Sequence, residues 1–489
     1  MQSIIALDLG TTGNRAIAFN QKGEPVGQAY LPFKQYFPKP GWVEHDPLEI
    51  LKTTRTVLLK VMHQVGKKNA AAIGITNQRE TVVLWQKSTG RPVYRAIVWQ
   101  CRRTADQCKK LSRFAPAIRN KTGLPLDPYF SATKIQWILK NIPLARELLQ
   151  KHDLVAGTID TWILWNLTED RRHATDPSNA SRTLLYNIRQ KRYDPDLLKL
   201  FSVPPSILPP VAPSDSLFGY TSQKIIGSRI PILGILGDQQ SALFAQGGLE
   251  KSILKNTYGT GLFVMTSTQT DIPKTPALAT TIAWQFQGKT HYAMEGSIFT
   301  GGSAIQWLRD GLKIIKNVSQ SESLAHSLKS NEGVYFVPAL TGLGAPDWDP
   351  FARGLLIGLT RGTTPAHLVR AALEAMAYQT CDIVNTMRPL LPFVPSLLRV
   401  DGGASANNFL MQFQADLLNL PVERPRILET TAFGVAGLAG MSSGLWTLEE
   451  FNRLRKIEKV FKPRLAVKER RRLLADWRRA VERAKYWIT

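Results

Sequence analysis

Three short glycine-rich loops, far apart in the chain and each directly behind an apolar run, constrain this sequence more than any other feature. They are Ile4-Ile5-Ala6-Leu7-Asp8-Leu9-Gly10-Thr11-Thr12, Asn256-Thr257-Tyr258-Gly259-Thr260-Gly261 and Leu398-Arg399-Val400-Asp401-Gly402-Gly403-Ala404-Ser405. Glycine beside Thr or Ser lets a backbone approach a phosphate, offers free N–H donors and adds hydroxyls that replace lost water. A single loop of this kind is also what an ordinary β-turn demands; three of them point to nucleotide binding. A carboxylate at such a turn, Asp8, can hold Mg²⁺ through the waters that ion retains. The two commoner nucleotide fingerprints, G-x-x-x-x-G-K-[ST] and a strand-to-helix G-x-G-x-x-G, are missing from the sequence, which excludes a P-loop or Rossmann protein.

At 489 residues the chain exceeds the size at which one core keeps growing, so two or more domains are expected. The 44% hydrophobic and 20% charged content is that of a soluble globular protein. Apolar stretches such as Phe433 to Met441 fall well short of the roughly 20 residues a membrane span needs. The first ten residues carry Asp8 and no basic cluster, which argues against a signal peptide and for a cytoplasmic location. Cys101, Cys108 and Cys381 are too few and too irregular for a disulfide framework or a zinc site, and the seven histidines form no metal-binding pattern.

The net charge of +24 is the anomaly. Residues 452 to 485 hold fourteen Lys or Arg against four acids, a surface that attracts polyanions without sequence preference. Trp477, Val481 and Ala484 recur at helical spacing within it, so the stretch reads as the solvated face of a packed helix rather than a dedicated nucleic-acid or lipid site.

Residues 3 to 8, 16 to 20 and 71 to 76 read as short strands, with a helix from Pro47 to Gln64 between the second and third. Strand pairs recur at 253 to 264 and 283 to 294, followed by a helix from about Ser303 to Leu312, and a strand-loop-helix set runs from Leu397 to Leu418. The similar order in both halves suggests two related α/β domains, 1–247 and 248–489, around a shared cleft. Each would aim a glycine turn into that cleft, beyond the carboxyl ends of its strands.

The three loops resemble the phosphate 1, phosphate 2 and adenosine motifs of the sugar kinase, actin and heat-shock chaperone superfamily. Tyr129-Phe130-Ser131-Ala132-Thr133-Lys134-Ile135-Gln136-Trp137-Ile138 and the stretch Gly354 to Glu374, with Gly358, His367, Ala371 and Glu374, are similar to the signatures of the FGGY carbohydrate kinases. Within that family, four runs resemble the members that phosphorylate glycerol: Pro40 to Pro47, Gly74 to Thr81, Ile97 to Arg103 and Gly237 to Gln240. Gly342-Leu343-Gly344-Ala345-Pro346 adds a fifth. The resemblance spans about residues 3 to 485. It implies two ribonuclease H-like (actin-like ATPase) domains and ATP-dependent phosphorylation of glycerol to sn-glycerol 3-phosphate, the first step of glycerol use. A homo-oligomer, dimer or tetramer, follows by analogy, with no specific nucleic-acid partner and no membrane span.

Arg79 and Glu80 are a donor and an acceptor side by side, suited to two adjacent hydroxyls or, failing that, to a surface ion pair. The resemblance assigns them to glycerol, with Tyr129, Asp238 and Gln239 as polar contacts and Trp99 and Phe263 as apolar walls. Asp238, which by itself also reads as a helix N-cap, becomes the general base for the primary hydroxyl. The same resemblance places Thr11, Thr12 and Gly13 at the β- and γ-phosphates, Arg15 at the developing charge, Asp8 on Mg²⁺ through water, and Thr260 opposite. Gly302, Gln306, Gly403 and Asn407 frame the nucleotide of ATP.

Two positions depart from the family pattern: Leu9 stands for a Gln, and Gly13-Asn14 for Ser-Ser. The insert that carries a fructose bisphosphate loop in enteric relatives is shortened to Ile226-Gly227-Ser228, and no counterpart of a phosphorylated histidine lies between Pro213 and Ile230. Weak or no control by either route is therefore expected. Another small polyol or ketose, such as xylulose or dihydroxyacetone, is the competing substrate. A basic ATP-binding protein without catalysis is the competing class, against which intact Asp8, Asp238, Arg79 and Glu80 speak.

Overall fold

The computed structural model describes residues 2–250 and 252–488. It is built on two sheets laid out to one plan. The first comprises β1 (Ser3–Leu9), β2 (Gly13–Asn20), β3 (Pro25–Pro32), β4 (Ala70–Asn77), β5 (Gly219–Tyr220) and β6 (Pro231–Gly237), in the order β5-β6-β4-β1-β2-β3. The second comprises β7 (Ile253–Tyr258), β8 (Leu262–Gln269), β9 (Ala279–Phe286), β10 (Lys289–Ile298), β11 (Leu397–Asp401), β12 (Val422–Pro425) and β13 (Ile457–Phe461), in the order β9-β10-β8-β7-β11-β12-β13. In each, the first strand lies antiparallel to its hairpin partner on one side and parallel to a later strand on the other. Leu7 of β1 faces Ala16 of β2 and Ile75 of β4; Asn256 of β7 faces Val264 of β8 and Val400 of β11.

The local sequence explains these elements. β1 is buried at every position but Asp8, the continuous apolar run of a strand covered on both faces. Helix α1 (Pro47–Val65) starts where Asp46 accepts a hydrogen bond from the Leu48 amide and proline takes the first helical position, and it stops at Gly66, φ 83°. A smaller sheet, with strands Glu44–His45, Ala96–Ile97, Val82–Gln86 and Leu154–Thr158 in that order, grows out of the first half together with helix Ser131–Asn141.

Two helices join the halves. Helix α2 (Asp238–Ala245) follows β6 directly. Among the later helices α3 (Gly302–Asp310), α4 (Pro365–Met387), α5 (Asn408–Leu418) and α6 (Thr430–Ser442), it is α6 that returns to the first sheet. A Cβ on Gly74 of β4 would lie 2.5 Å from the Val435 carbonyl oxygen, and one on Gly434 only 1.9 Å from that of Ser241 in α2. Glycine is required at both, because the backbones leave no room for a side chain. One apolar cluster runs through this junction, including Ile4, Phe19, Leu236, Phe244, Met265, Trp284 and Phe433.

Helix α7 (Val467–Ala484) buries Leu473, Trp477, Ala480, Val481 and Ala484 and turns its arginines outward. Trp477 stacks on Tyr378 of α4 at 5.2 Å and donates to Asp382 at 2.6 Å. The basic residues of α7 thus form the solvated face of a packed helix, whereas those from Arg453 to Arg464 lie on the end of helix Leu448–Leu454, on β13 and on the segments beside them. Among the described residues no helix is long and apolar enough to cross a membrane.

Candidate active site

The ends of three neighbouring strands of the first sheet, β1, β4 and β6, deliver Asp8, Arg79 with Glu80, and Asp238 to the same cleft. The turn after β1 is closed by the Gly10 amide donating to the Gly13 carbonyl at 3.1 Å. Thr11 receives a hydrogen bond from the Trp99 indole at 2.9 Å, and Thr12 is exposed in the cleft. Gly13 has a steric cause: a Cβ there would lie 2.6 Å from both the Leu31 carbonyl oxygen and the Tyr30 hydroxyl. Asn14 points away from the cleft, its amide nitrogen within 2.9 Å of Ile50 O, Thr53 Oγ1 and Thr54 Oγ1 of α1. The departure from Ser-Ser therefore tightens the turn and anchors it to the helix behind.

Arg15 is half-buried and pairs with Glu429 of the second half at 3.1 Å. Asp8 has no hydrogen-bond or ion-pair partner among the described residues. Burial raises its carboxyl to about 6 against the pull of Arg15, and the charges of Asp238 and Glu429 push in the same direction. An unpartnered carboxylate facing further acids fits a hydrated divalent cation.

Arg79 and Glu80 are each about 1% exposed, so the surface ion pair is ruled out. Glu80 takes φ 62°, an unusual backbone for a non-glycine residue and a common mark of functional turns. Arg79 Nε lies 3.1 Å from Asp238 Oδ1, and Nη1 donates to Glu295 at 2.5 Å and Gln240 at 3.1 Å. Gly237 makes this possible, since a Cβ there would fall 2.7 Å from Arg79 Cδ.

Asp238 is the first residue of α2, with Gly237 as its cap, so it is not the N-cap that spacing alone allows. Its Oδ1 accepts from the Gln239 amide at 2.7 Å, and its side chain keeps 26% exposure toward the cleft. Burial raises its pKa, opposed by Arg79, by the Gln239 hydrogen bond and by Lys255. Gln239 Oε1 in turn accepts from Lys255 Nζ at 2.6 Å, across the two halves.

Trp99 stands edge-on to Tyr129 at 5.6 Å and to Phe263 at 6.0 Å, and the Arg79 guanidinium lies 5.8 Å from the Phe263 ring. The Tyr129 hydroxyl is 3.5 Å from Arg79 Nη2. Of the residues that the resemblance assigns to one small substrate, Arg79, Glu80, Trp99, Tyr129, Phe263 and Asp238 thus converge, while the Gln239 side chain is held by Lys255. A cavity of about 560 Å³ opens between the loop after β7, the start of α3 and the loop after β11. Its walls include Thr260, Gly302, Gln306, Gly403 and Asn407, all five expected there. Its size suits a nucleotide. The loops are tied together behind it: Thr257 donates to Asp401 at 2.5 Å, and a Cβ on Gly402 (φ 83°) would strike the Tyr258 carbonyl at 2.6 Å.

Sequence reasoning missed three buried ionic residues. Arg182 donates to Glu80 at 2.5 Å and to Glu295 at 2.8 Å; Glu295 also binds Arg79; Lys255 holds Gln239. The available signal was a lone charge in an apolar strand, as in Tyr292-Ala293-Met294-Glu295-Gly296, because an acid inside a core must be paired.

Residues 3–245 match the model of the N-terminal domain of the FGGY family of carbohydrate kinases, and residues 254–443 that of its C-terminal domain. The glycerol kinase of Aquifex aeolicus is 52% identical over 491 residues, covering 100% of this chain and 99% of the relative. Glycerol kinase 2 of Thermotoga maritima is 51% identical over 493 residues, with 100% and 99% covered. Among solved structures, that of Plasmodium falciparum glycerol kinase with ADP superimposes with a TM-score of 0.90 at 36% identity, covering 99% of this chain and 98% of the other. The gluconate kinase of Lactobacillus acidophilus, at 22% identity and a TM-score of 0.86 over 98% and 97% of the two chains, shares the fold.

Proposed function

The chain belongs to the FGGY family of carbohydrate kinases, and on that premise we propose that it transfers the γ-phosphoryl group of ATP to a terminal hydroxyl of glycerol. The products are sn-glycerol 3-phosphate and ADP. The observation that carries this reading is the pairing of Asp238, whose side chain stays 26% exposed, with the buried Arg79 at 3.1 Å.

Glycerol is uncharged, so recognition rests on pairing its oxygens and covering its carbons. Arg79 donates to and Glu80 accepts from neighbouring hydroxyls, Tyr129 and Gln239 take the remaining polar contacts, and Trp99 and Phe263 wall the carbon chain. Asp238 takes the proton of the terminal hydroxyl as that oxygen bonds to the γ-phosphorus and the bond to the β–γ bridging oxygen breaks. Its raised pKa keeps the carboxylate basic enough for the task.

Thr11, Thr12 and Gly13 hold the β- and γ-phosphates from one side and Thr260 from the other, while Arg15 offsets charge at the transferring group. Gly302, Gln306, Gly403 and Asn407 hold the adenosine end. Asp8 would hold Mg²⁺ through its waters, and the ion when bound supplies positive charge between the phosphates. Closure of the two halves, 1–247 and 248–489, excludes water that would otherwise hydrolyse ATP. A cytoplasmic homo-oligomer without nucleic-acid partners completes the reading.

The test is ADP release with a panel of glycerol, dihydroxyacetone and xylulose. Glycerol is expected to have the highest kcat/KM, and a better alternative overturns the assignment. Asp238→Asn should abolish turnover and leave ATP binding intact; unchanged turnover removes it as the base.

A further inference from the structure

Behind Arg79 and Glu80 lies a closed ring of four buried charges, two of which belong to none of the recognised motifs. Glu295, on β10 of the second half, is fully buried. Its Oε2 accepts from Arg79 Nη1 at 2.5 Å, and its Oε1 accepts from Arg182 Nη2 and Ser297 Oγ, both at 2.8 Å. Arg182 Nε donates to Glu80 Oε1 at 2.5 Å, and Glu80 Oε1 lies 3.9 Å from Arg79 Nε. Two arginines and two glutamates, each no more than 1% exposed, sum to zero charge. The ring engages Glu80 through Oε1 and Arg79 through Nη1. Glu80 Oε2 is left with no protein partner among the described residues, and Arg79 Nη2 with only the long contact to Tyr129.

From this geometry we infer that Glu295 and Arg182 are positioning residues for the substrate. By fixing Arg79 and Glu80 from behind, they leave one acceptor, Glu80 Oε2, and one donor, Arg79 Nη2, for neighbouring hydroxyls. The inference rests on the reading of Arg79 and Glu80 as the polyol site. Since Glu295 alone of the four comes from the second half of the chain, the polyol site in the first half is complete only while β10 is docked against it. A guanidinium fork is required at 182, because it spans two carboxylates at once; a lysine cannot.

A purely structural ring would matter for stability alone, so the experiment separates the two roles in the full-length protein. Glu295→Gln keeps the shape and removes one negative charge from the ring, leaving Arg79 to Asp238 and Glu80, and Arg182 to Glu80 alone among the described acids. The double variant Arg182→Met/Glu295→Met restores neutrality with apolar groups, a replacement that buried ion pairs generally tolerate. We measure the melting temperature, KM for ATP, and the ratio of kcat/KM for glycerol to that for 1,3-propanediol, which lacks the middle hydroxyl.

The expected result is a glycerol preference at least tenfold lower in both variants, with KM for ATP within twofold of the parent. The preference should stay low in the double variant even where its melting temperature returns. Recovery of both melting temperature and preference in the double variant, or an unchanged preference in Glu295→Gln, overturns the inference. Should both variants fail to fold, Arg182→Lys, which keeps the charge and loses the fork, decides on the same ratio. If the parent protein itself prefers another polyol, the proposed function falls. The ring is then judged by that polyol against its deoxy analogue.

Discussion

Adding one methyl group behind α2, in Gly434→Ala, tests whether the contact between α2 and α6 holds Asp238, the proposed base, in place. The new Cβ would sit 1.9 Å from the Ser241 carbonyl oxygen, whereas real Cβ atoms do not approach within 3.0 Å, so the helices must separate by at least about 1.1 Å. Ser241 also donates through Oγ to the Thr431 carbonyl at 2.6 Å, a bond the separation breaks. Overpacking of this kind costs about 1–3 kcal/mol, and the lost buried hydrogen bond about 1 kcal/mol more. Asp238 lies one turn before Ser241 on the same short helix, and a displacement of about 1 Å at a reacting group lowers turnover on the order of 100-fold. The assay is thermal melting together with ADP release at saturating glycerol and ATP. Parental melting and parental kcat together refute the packing argument. A lowered melting temperature with unchanged kcat refutes the mechanical link from Ser241 to Asp238.

Asp8→Asn should lose phosphoryl transfer yet stabilise the ligand-free protein. Burial lifts the Asp8 carboxyl from 3.8 to about 6, so the folded state binds its proton more tightly and stability falls as pH rises from about 4 through about 6. Because the carboxylate is partly open to the cleft, the gain at pH 7.5 in EDTA should be about 1–2 kcal/mol and should vanish near pH 4; a gain that does not depend on pH sinks the account. Trp477→Ala removes a fully buried stack on Tyr378 and a hydrogen bond to Asp382, for a loss of about 3–5 kcal/mol in denaturant unfolding. At 15 °C kcat should be unchanged, since neither partner lines the nucleotide cavity. The net charge of +24 should steer anionic ATP but not neutral glycerol. Raising salt from 10 to 150 mM, where the Debye length shortens to about 8 Å, should therefore lower kcat/KM for ATP several-fold and leave that for glycerol unchanged; equal slopes would contradict this.

Much of the fold is legible because local and global signals agree. The three glycine turns end β1, β7 and β11 as their apolar runs indicate, and α1 begins at Asp46-Pro47 where capping chemistry puts it. The strand pairs at 253 to 264 and 283 to 294 are the inner parts of longer hairpins, Ile253–Gln269 and Ala279–Ile298, whose outer polar ends carry no periodicity. What local signals miss is the course of α6. Its stretch Phe433 to Met441 is apolar on all sides, which declares burial, but nothing in it says that it covers β1, β4 and β6 of the first sheet, all far earlier in the chain. The glycines at 74 and 434, each with no space for a side chain, record that approach.

The site divides in the same way. Residues proposed to touch phosphates or hydroxyls stand mostly in short contiguous runs, because a turn must bring backbone and side chain to a ligand together. Residues that hold those contacts from behind obey no spacing rule: Arg182 and Glu295 reach Arg79 and Glu80 across separations of 102 and 216 residues. A charge in a core is stabilised by an opposite charge or by hydrogen-bond donors, and at Glu295 the partners are two arginines that no spacing rule names. Two acids and two bases of this kind could pair in more than one way. The structure forms all four acid–base contacts at once, and the ring couples the Arg79–Glu80 site of the first half to a strand of the second.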